Sequence, residues 1–155
     1  MDRIIQVETT VAGSVDEVWR AWTTVEGVVT FFAPQADVRL EIGGPFELYF
    51  APSEPQGLRG SEGCKVLSYL PEEVLSFSWN APPSIPRLRE TGGQTRVIVQ
   101  FEEVGEGRTR IKLSQQGFGS GEDSDKYYEY FSKAWPYVLA NCRRRFEEGP
   151  LDWEK

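Results

Sequence analysis

Between residues 123 and 148 the large apolar side chains fall at Tyr128, Phe131, Trp135, Val138, Leu139, Cys142 and Phe146, in steps of three and four. That spacing draws one stripe down an α-helix, so a long C-terminal helix with an aromatic face is predicted. Glu129, Ser132, Lys133, Asn141, Arg144 and Glu147 fall between the stripe positions and are assigned to water. Ser120 or Asp123 is the candidate cap, Glu122, Asp123 and Asp125 suit the positive end of the helix dipole, and Arg143, Arg144 and Arg145 suit the negative end. Gly149-Pro150 stops the helix. Pro136, inside the pattern, removes a backbone donor and crowds the Ser132 carbonyl, which predicts a kink.

Upstream the chain opens with alternation around Ile5, Val7 and Thr9, a first strand over residues 3–11. Ser14 followed by Glu17 is a capping box for a short helix that puts Val15, Val18, Trp19 and Trp22 on one face. Thr23-Thr24 restarts a second short helical segment through Val28, Phe31 and Phe32, ended by Pro34. From residue 37 the period becomes two. Strands are predicted at 37–42 and at 46–50, with Phe46, Leu48 and Phe50 against Glu47 and Tyr49. Gly43-Gly44-Pro45 makes the turn between them. Residues 52–60 are loop. Residues 61–70 form a strand with two competing faces, one holding Cys64, Val66 and Leu70, the other Leu67 and Tyr69. Leu75, Phe77 and Trp79 alternate cleanly with Ser76 and Ser78. Residues 80–93, with three prolines and two glycines, read as the longest irregular stretch and a candidate lid. Val97, Val99 and Phe101 share a face of a strand over 94–104, and a hairpin at Gly105-Glu106-Gly107 returns with Thr109, Ile111, Leu113 and Gln115 on one side. The sum is an α+β chain: seven antiparallel strands, two short helices after the first, and a long terminal helix. Single-faced alternation leaves one side of the sheet to be covered, and a twisted sheet that size curls around that helix. No repeat or low-complexity segment interrupts the pattern, so residues 1–155 are expected to form one domain.

The totals narrow the function classes. Net charge is −7, from 17 basic and 24 acidic residues, so no overall basic field recruits nucleic acid or an anionic membrane. No apolar run is long enough to span a bilayer, and the first eight residues carry no secretory pattern, so a cytoplasmic location is expected. Cys64 and Cys142 both lie in apolar patterns and read as buried free thiols. Histidine is absent, which removes Ser-His and Cys-His nucleophile systems and His-ligated zinc. No cofactor or metal is expected.

Several stretches together resemble the START-like superfamily, also called SRPBCC, helix-grip or Bet v 1-like, and more narrowly its branch related to the activator of Hsp90 ATPase. They are Ser14-Val15-Asp16-Glu17-Val18-Trp19-Arg20-Ala21-Trp22-Thr23, then Phe32-Ala33-Pro34 and Gly43-Gly44-Pro45-Phe46. Pro71, Leu75 and Trp79, then Thr109, Leu113, Gly117-Phe118, Trp135 and Leu139, continue the same order over nearly the whole chain. The chain departs from that pattern at Phe31, where relatives carry Trp, and at Ala134, where they carry Gly, with Pro136 just beyond. The resemblance implies a seven-stranded curved sheet wrapped around the C-terminal helix, with a cavity between them. The docking domain that precedes this one in the eukaryotic activator is not expected here, so stimulation of Hsp90 is implied by the family alone.

Candidate ligand-binding residues follow from facing positions around that implied cavity. Phe32, Phe77, Trp79, Tyr128, Phe131 and Trp135 supply rings, and Phe46, Leu48, Val99 and Leu113 supply inward strand positions. Gln115 is in register with Ile111 and Leu113 and points inward, where it either orients a ligand or satisfies buried protein groups; Tyr128 and Tyr69 are its candidate companions. Glu47 alternates to the outer face, which argues against a buried acid. The expected function is binding of a hydrophobic or aromatic small molecule or lipid, by a monomer or dimer. The alternatives are a cyclase or hydrolase using the same cavity, or contact with an Hsp90-type chaperone, for which the outward Arg96, Gln100, Arg110, Lys112 and Ser114 offer no apolar patch.

Overall fold

The capping box reads straight into structure. In the computed structural model, which describes residues 3–154, the Ser14 hydroxyl accepts from the Glu17 N–H and the Glu17 carboxylate accepts from the Ser14 N–H. Strand β1 (Ile5–Val11) precedes that cap and α1 (Val15–Thr23) follows it. Thr24 then caps α2 (Val25–Val28) through the Gly27 N–H. The strands β2 (Gln35–Val38), β3 (Phe46–Tyr49), β4 (Val66–Leu70) and β5 (Val74–Trp79) come next. A short α3 (Pro86–Glu90) precedes the long hairpin of β6 (Thr95–Gly105) and β7 (Arg108–Gln116), and α4 (Glu122–Glu148) completes the order.

The seven strands are antiparallel but not uniformly paired. Five form the sheet β1-β7-β6-β5-β4, and β2-β3 form a separate ladder. Isolated bridges at Pro45–Lys65 and Tyr49–Gly60 join the ladder to the chain around β4. The joint is close: a Cβ on Gly60 would lie 1.9 Å from the Leu48 carbonyl oxygen, so only glycine fits there. The expected strand over 61–70 is shortened to β4, and its two competing faces have a simple cause. A bulge between Val66 and Ser68 sets three residues of β4 against two of β5, so burial passes from Cys64 and Val66 to Tyr69 while Leu67 and Leu70 face out. The strand expected at 37–42 starts and stops earlier, as β2, and the stretch 80–93 carries α3.

Helix α4 runs beside β1 and covers the concave side of the sheet with Tyr127, Phe131, Trp135, Val138, Leu139 and Cys142. Three expectations for it are corrected. Its N-cap is Gly121, with no side-chain cap, in place of Ser120 or Asp123. The inward tyrosine is Tyr127; Tyr128 is half-buried under the Arg3 guanidinium, 4.9 Å from the ring centre. Asn141, assigned to water, is buried at 4 % exposure. The buried side of the helix is wider than a single stripe because the sheet curls around it and covers a second row of positions. The helix passes through Pro136, which faces solvent, where water can serve the Ser132 carbonyl that lost its partner. Phe50, expected inward with Phe46 and Leu48, is 44 % exposed because β3 ends at Tyr49. Cys64 and Cys142 are buried free thiols, and burial pushes each up to about 12.

Candidate functional site

The middle of the space between sheet and α4 is filled. Phe46 stacks on Phe77 with ring centres 4.0 Å apart, and Leu48, Val99, Leu113 and Gln115 are fully buried around them. Gln115 is satisfied by protein: the Trp135 indole N–H donates to its carbonyl oxygen at 2.6 Å, and its amide donates to the Thr95 hydroxyl at 2.8 Å. Thr95 donates to the Trp79 carbonyl at 3.1 Å, and Tyr127 donates to the same carbonyl. Burial pushes the Tyr127 phenol well above its usual range, so it stays a neutral donor. This network pins β5, β6, β7 and α4 to one another with each hydrogen bond made.

Room opens to one side of that network. A cleft of about 390 Å³ lies between α4, the start of β5's outgoing loop and the loop after β3. Phe32, Trp79, Phe131 and Trp135 form its aromatic wall, with Trp79 and Trp135 ring centres 5.2 Å apart. Ala134, Val138 and Asn141 line it from α4, and Pro82 and Pro83 from the segment before α3. Its rim is apolar and exposed: Phe50, Leu58, Tyr130, Tyr137 and Trp153. Of the sequence candidates, Phe32, Trp79, Phe131 and Trp135 come together on this cleft. Phe46, Leu48, Phe77, Val99, Leu113 and Gln115 lie in the packed interior behind it, and Tyr128 and Tyr69 lie away from it.

Two devices hold the mouth. Arg89 of α3 donates to the carbonyls of Ala81, Gly57 and Gly60 and meets the Glu62 carboxylate at 3.1 Å. Burial alone would raise the Glu62 carboxyl, but N–H groups of Arg59, Gly60 and Gly57 outweigh it and hold the group below its ordinary range. On the opposite rim the chain after α4 folds back: the Leu151 N–H donates to the Thr30 carbonyl at 2.9 Å, and the Trp153 indole donates to the Val29 carbonyl at 2.6 Å. Sequence reasoning missed Arg89, Glu62 and Asn141. The first two are one charge pair across 27 residues with no local signal, and Asn141 sits among polar neighbours on the helix pattern.

The polar groups at the cleft are few. Asn80 donates to the Gly60 carbonyl at 3.2 Å, and among the described residues the Arg59 guanidinium donates only through Nε, to the Glu54 carbonyl at 2.7 Å. The Asn141 amide has no hydrogen-bond partner among the described residues, yet it is not sealed off from the cleft. The Trp79 indole N–H also lacks a partner, but it is fully occluded and out of a ligand's reach. No Asp or Glu lines the cleft among the described residues, and those residues hold no cluster of metal-ligating groups.

The family model described as Activator of Hsp90 ATPase homolog 1-like protein matches residues 12–147. The chain belongs to that family. No curated protein matches it. Solved structures share the fold of this Hsp90 ATPase activator homolog 1-like chain at low identity. Protein MLL2253 from Mesorhizobium loti has a TM-score of 0.74 at 20% identity, covering 96% of this chain and all 100% of its own. The Aha1 dimer from Colwellia psychrerythraea scores 0.70 at 17% identity over 95% and 98% of the two chains. PFC0360w, an HSP90 activator from Plasmodium falciparum, scores 0.68 at 17% identity over 96% and 97%. The helix-grip expectation is met: a curved antiparallel sheet of five plus two strands holds a long C-terminal helix. No helix of the described residues is long and apolar enough to cross a membrane.

Proposed function

We propose that this activator homolog 1-like protein binds a hydrophobic or aromatic small molecule in the cleft beside α4. The observation that carries the reading is a cleft of about 390 Å³ walled by four buried rings and rimmed by exposed ones, within the size of small-molecule sites. Apolar surface exposed in a concavity gains most when an apolar body displaces its water. A cyclase or hydrolase reading finds no carboxylate among the described residues that line the cleft to act as acid or base. Family membership makes an Hsp90-type chaperone the protein partner to test, although the outer sheet face presents the exposed polar Arg96, Gln100 and Arg110.

The test is titration with the neutral fluorophore N-phenyl-1-naphthylamine, followed by its emission and by native mass spectrometry. Saturable binding of one molecule per chain is expected. Ala134→Trp, which fills the cleft from α4, is expected to abolish it without changing the fold's circular dichroism. Absence of saturable binding, or equal binding by that variant, overturns the reading.

A further inference from the structure

We infer that the occupant of this cleft is an acid: a flat apolar body carrying one carboxylate, which the Arg59 guanidinium receives at the mouth. The inference rests on the binding reading above and specifies its ligand class. Two arginines and no carboxylate line the cleft among the described residues, in a chain whose net charge is −7. The two are not equivalent. Arg89 is spent, its side chain only 9 % exposed and its guanidinium shared among three carbonyls and Glu62. Arg59 keeps both terminal nitrogens unengaged and has no carboxylate within ion-pair distance among the described residues. Arg59 is a partly buried residue whose guanidinium is exposed at the mouth, and its free fork beside an apolar wall matches the two oxygens of a carboxylate.

Asn141 gives independent support. A side chain 4 % exposed whose amide has no partner among the described residues leaves hydrogen-bonding capacity unused at the cleft wall. An occupant with no polar atom would seal that amide away unpaired, so a ligand bearing oxygen fits this wall better than a hydrocarbon.

Two probes of matched shape decide it: 2-naphthoate and the neutral 2-acetylnaphthalene, measured by isothermal titration calorimetry at low salt. The carboxylate is expected to bind about tenfold tighter, and the preference to shrink as salt screens the exposed mouth. Arg59→Gln is expected to bring the two probes to within about twofold by weakening only the acid, and Arg59→Lys, a point charge without the fork, to keep only part of the preference. Asn141→Leu weakens both probes alike and leaves the preference in place. Equal affinity of the two probes for the unaltered protein, or a preference that survives Arg59→Gln or vanishes in Asn141→Leu, overturns the inference while the cleft remains a binding site. Failure of both probes to bind removes the binding reading as well.

Discussion

The interior behind the cleft and the cleft itself are built from the same kinds of residue, yet one is solid and the other open. Behind, β5, β6 and β7 pair continuously, their inward side chains lock between neighbours, and the Trp135–Gln115–Thr95 chain of hydrogen bonds and the Tyr127 hydroxyl converge on the Trp79 carbonyl. At the cleft the sheet is interrupted: β3 reaches the strand beyond it only through isolated bridges, and the segments following Tyr49 and Trp79 leave the sheet as loops. Space in this fold therefore marks the place where strand pairing stops. Aromatic richness does not decide it, because Phe46 and Phe77 stack solidly a short distance from Trp79, which faces the opening.

The sharpest way to break that contrast is to make the same truncation on both sides. Leu113→Ala in the packed interior is expected to cost about 2–5 kcal/mol in urea denaturation, since transfer and cavity terms add. Leu58→Ala, at a rim position 45 % exposed, is expected to cost no more than about 0.5 kcal/mol and to show itself as weaker probe binding. Equal costs would mean that the two regions are packed alike. The next effect in size is polar. Gln115→Met keeps volume but orphans the Trp135 indole N–H, with an expected loss of about 1–3 kcal/mol. Adding Trp135→Phe should then cost less than it does alone, the coupling being read from a double-mutant cycle.

The smallest effect tests the mouth. Because the folded protein holds Glu62 below its ordinary carboxylate range, the stability it contributes is complete above the unfolded value of about 4.3 and is lost as pH falls through the lower folded value. Glu62→Gln should flatten the acid side of the stability profile in that window. It should also loosen α3, read as faster amide exchange in residues 86–90, because Arg89 loses its one carboxylate partner among the described residues.

The fold was legible because periodicity reports which face is covered, and the relevant runs are long. The strand carrying Ile111, Leu113 and Gln115, the Ser14–Glu17 cap and the helix stripe through Trp135 all follow from local pattern. The cleft was half legible. Its rings at Phe32, Trp79, Phe131 and Trp135 are inward positions that spacing can mark, but so are Phe46, Phe77 and Val99, which are packed solid. Which inward residue faces a neighbour and which faces a gap depends on where the ladder breaks, and no period encodes that. The β4 bulge is the same limitation on a smaller scale: one extra residue reverses parity, so both readings of residues 61–70 were partly right. Arg89 and Glu62 were invisible because their pairing exists only once α3 docks on the loop.

The five tryptophans are distributed so that the protein carries its own optical gauge. Trp79, Trp135 and Trp153 surround the cleft, whereas Trp19 and Trp22 pack around Phe101, with ring centres 5.3 and 6.3 Å from it, and do not line the opening. A guest in the cleft would perturb the emission of three indoles directly and leave two outside its lining, so occupancy would be read from the intrinsic fluorescence of the unlabelled molecule.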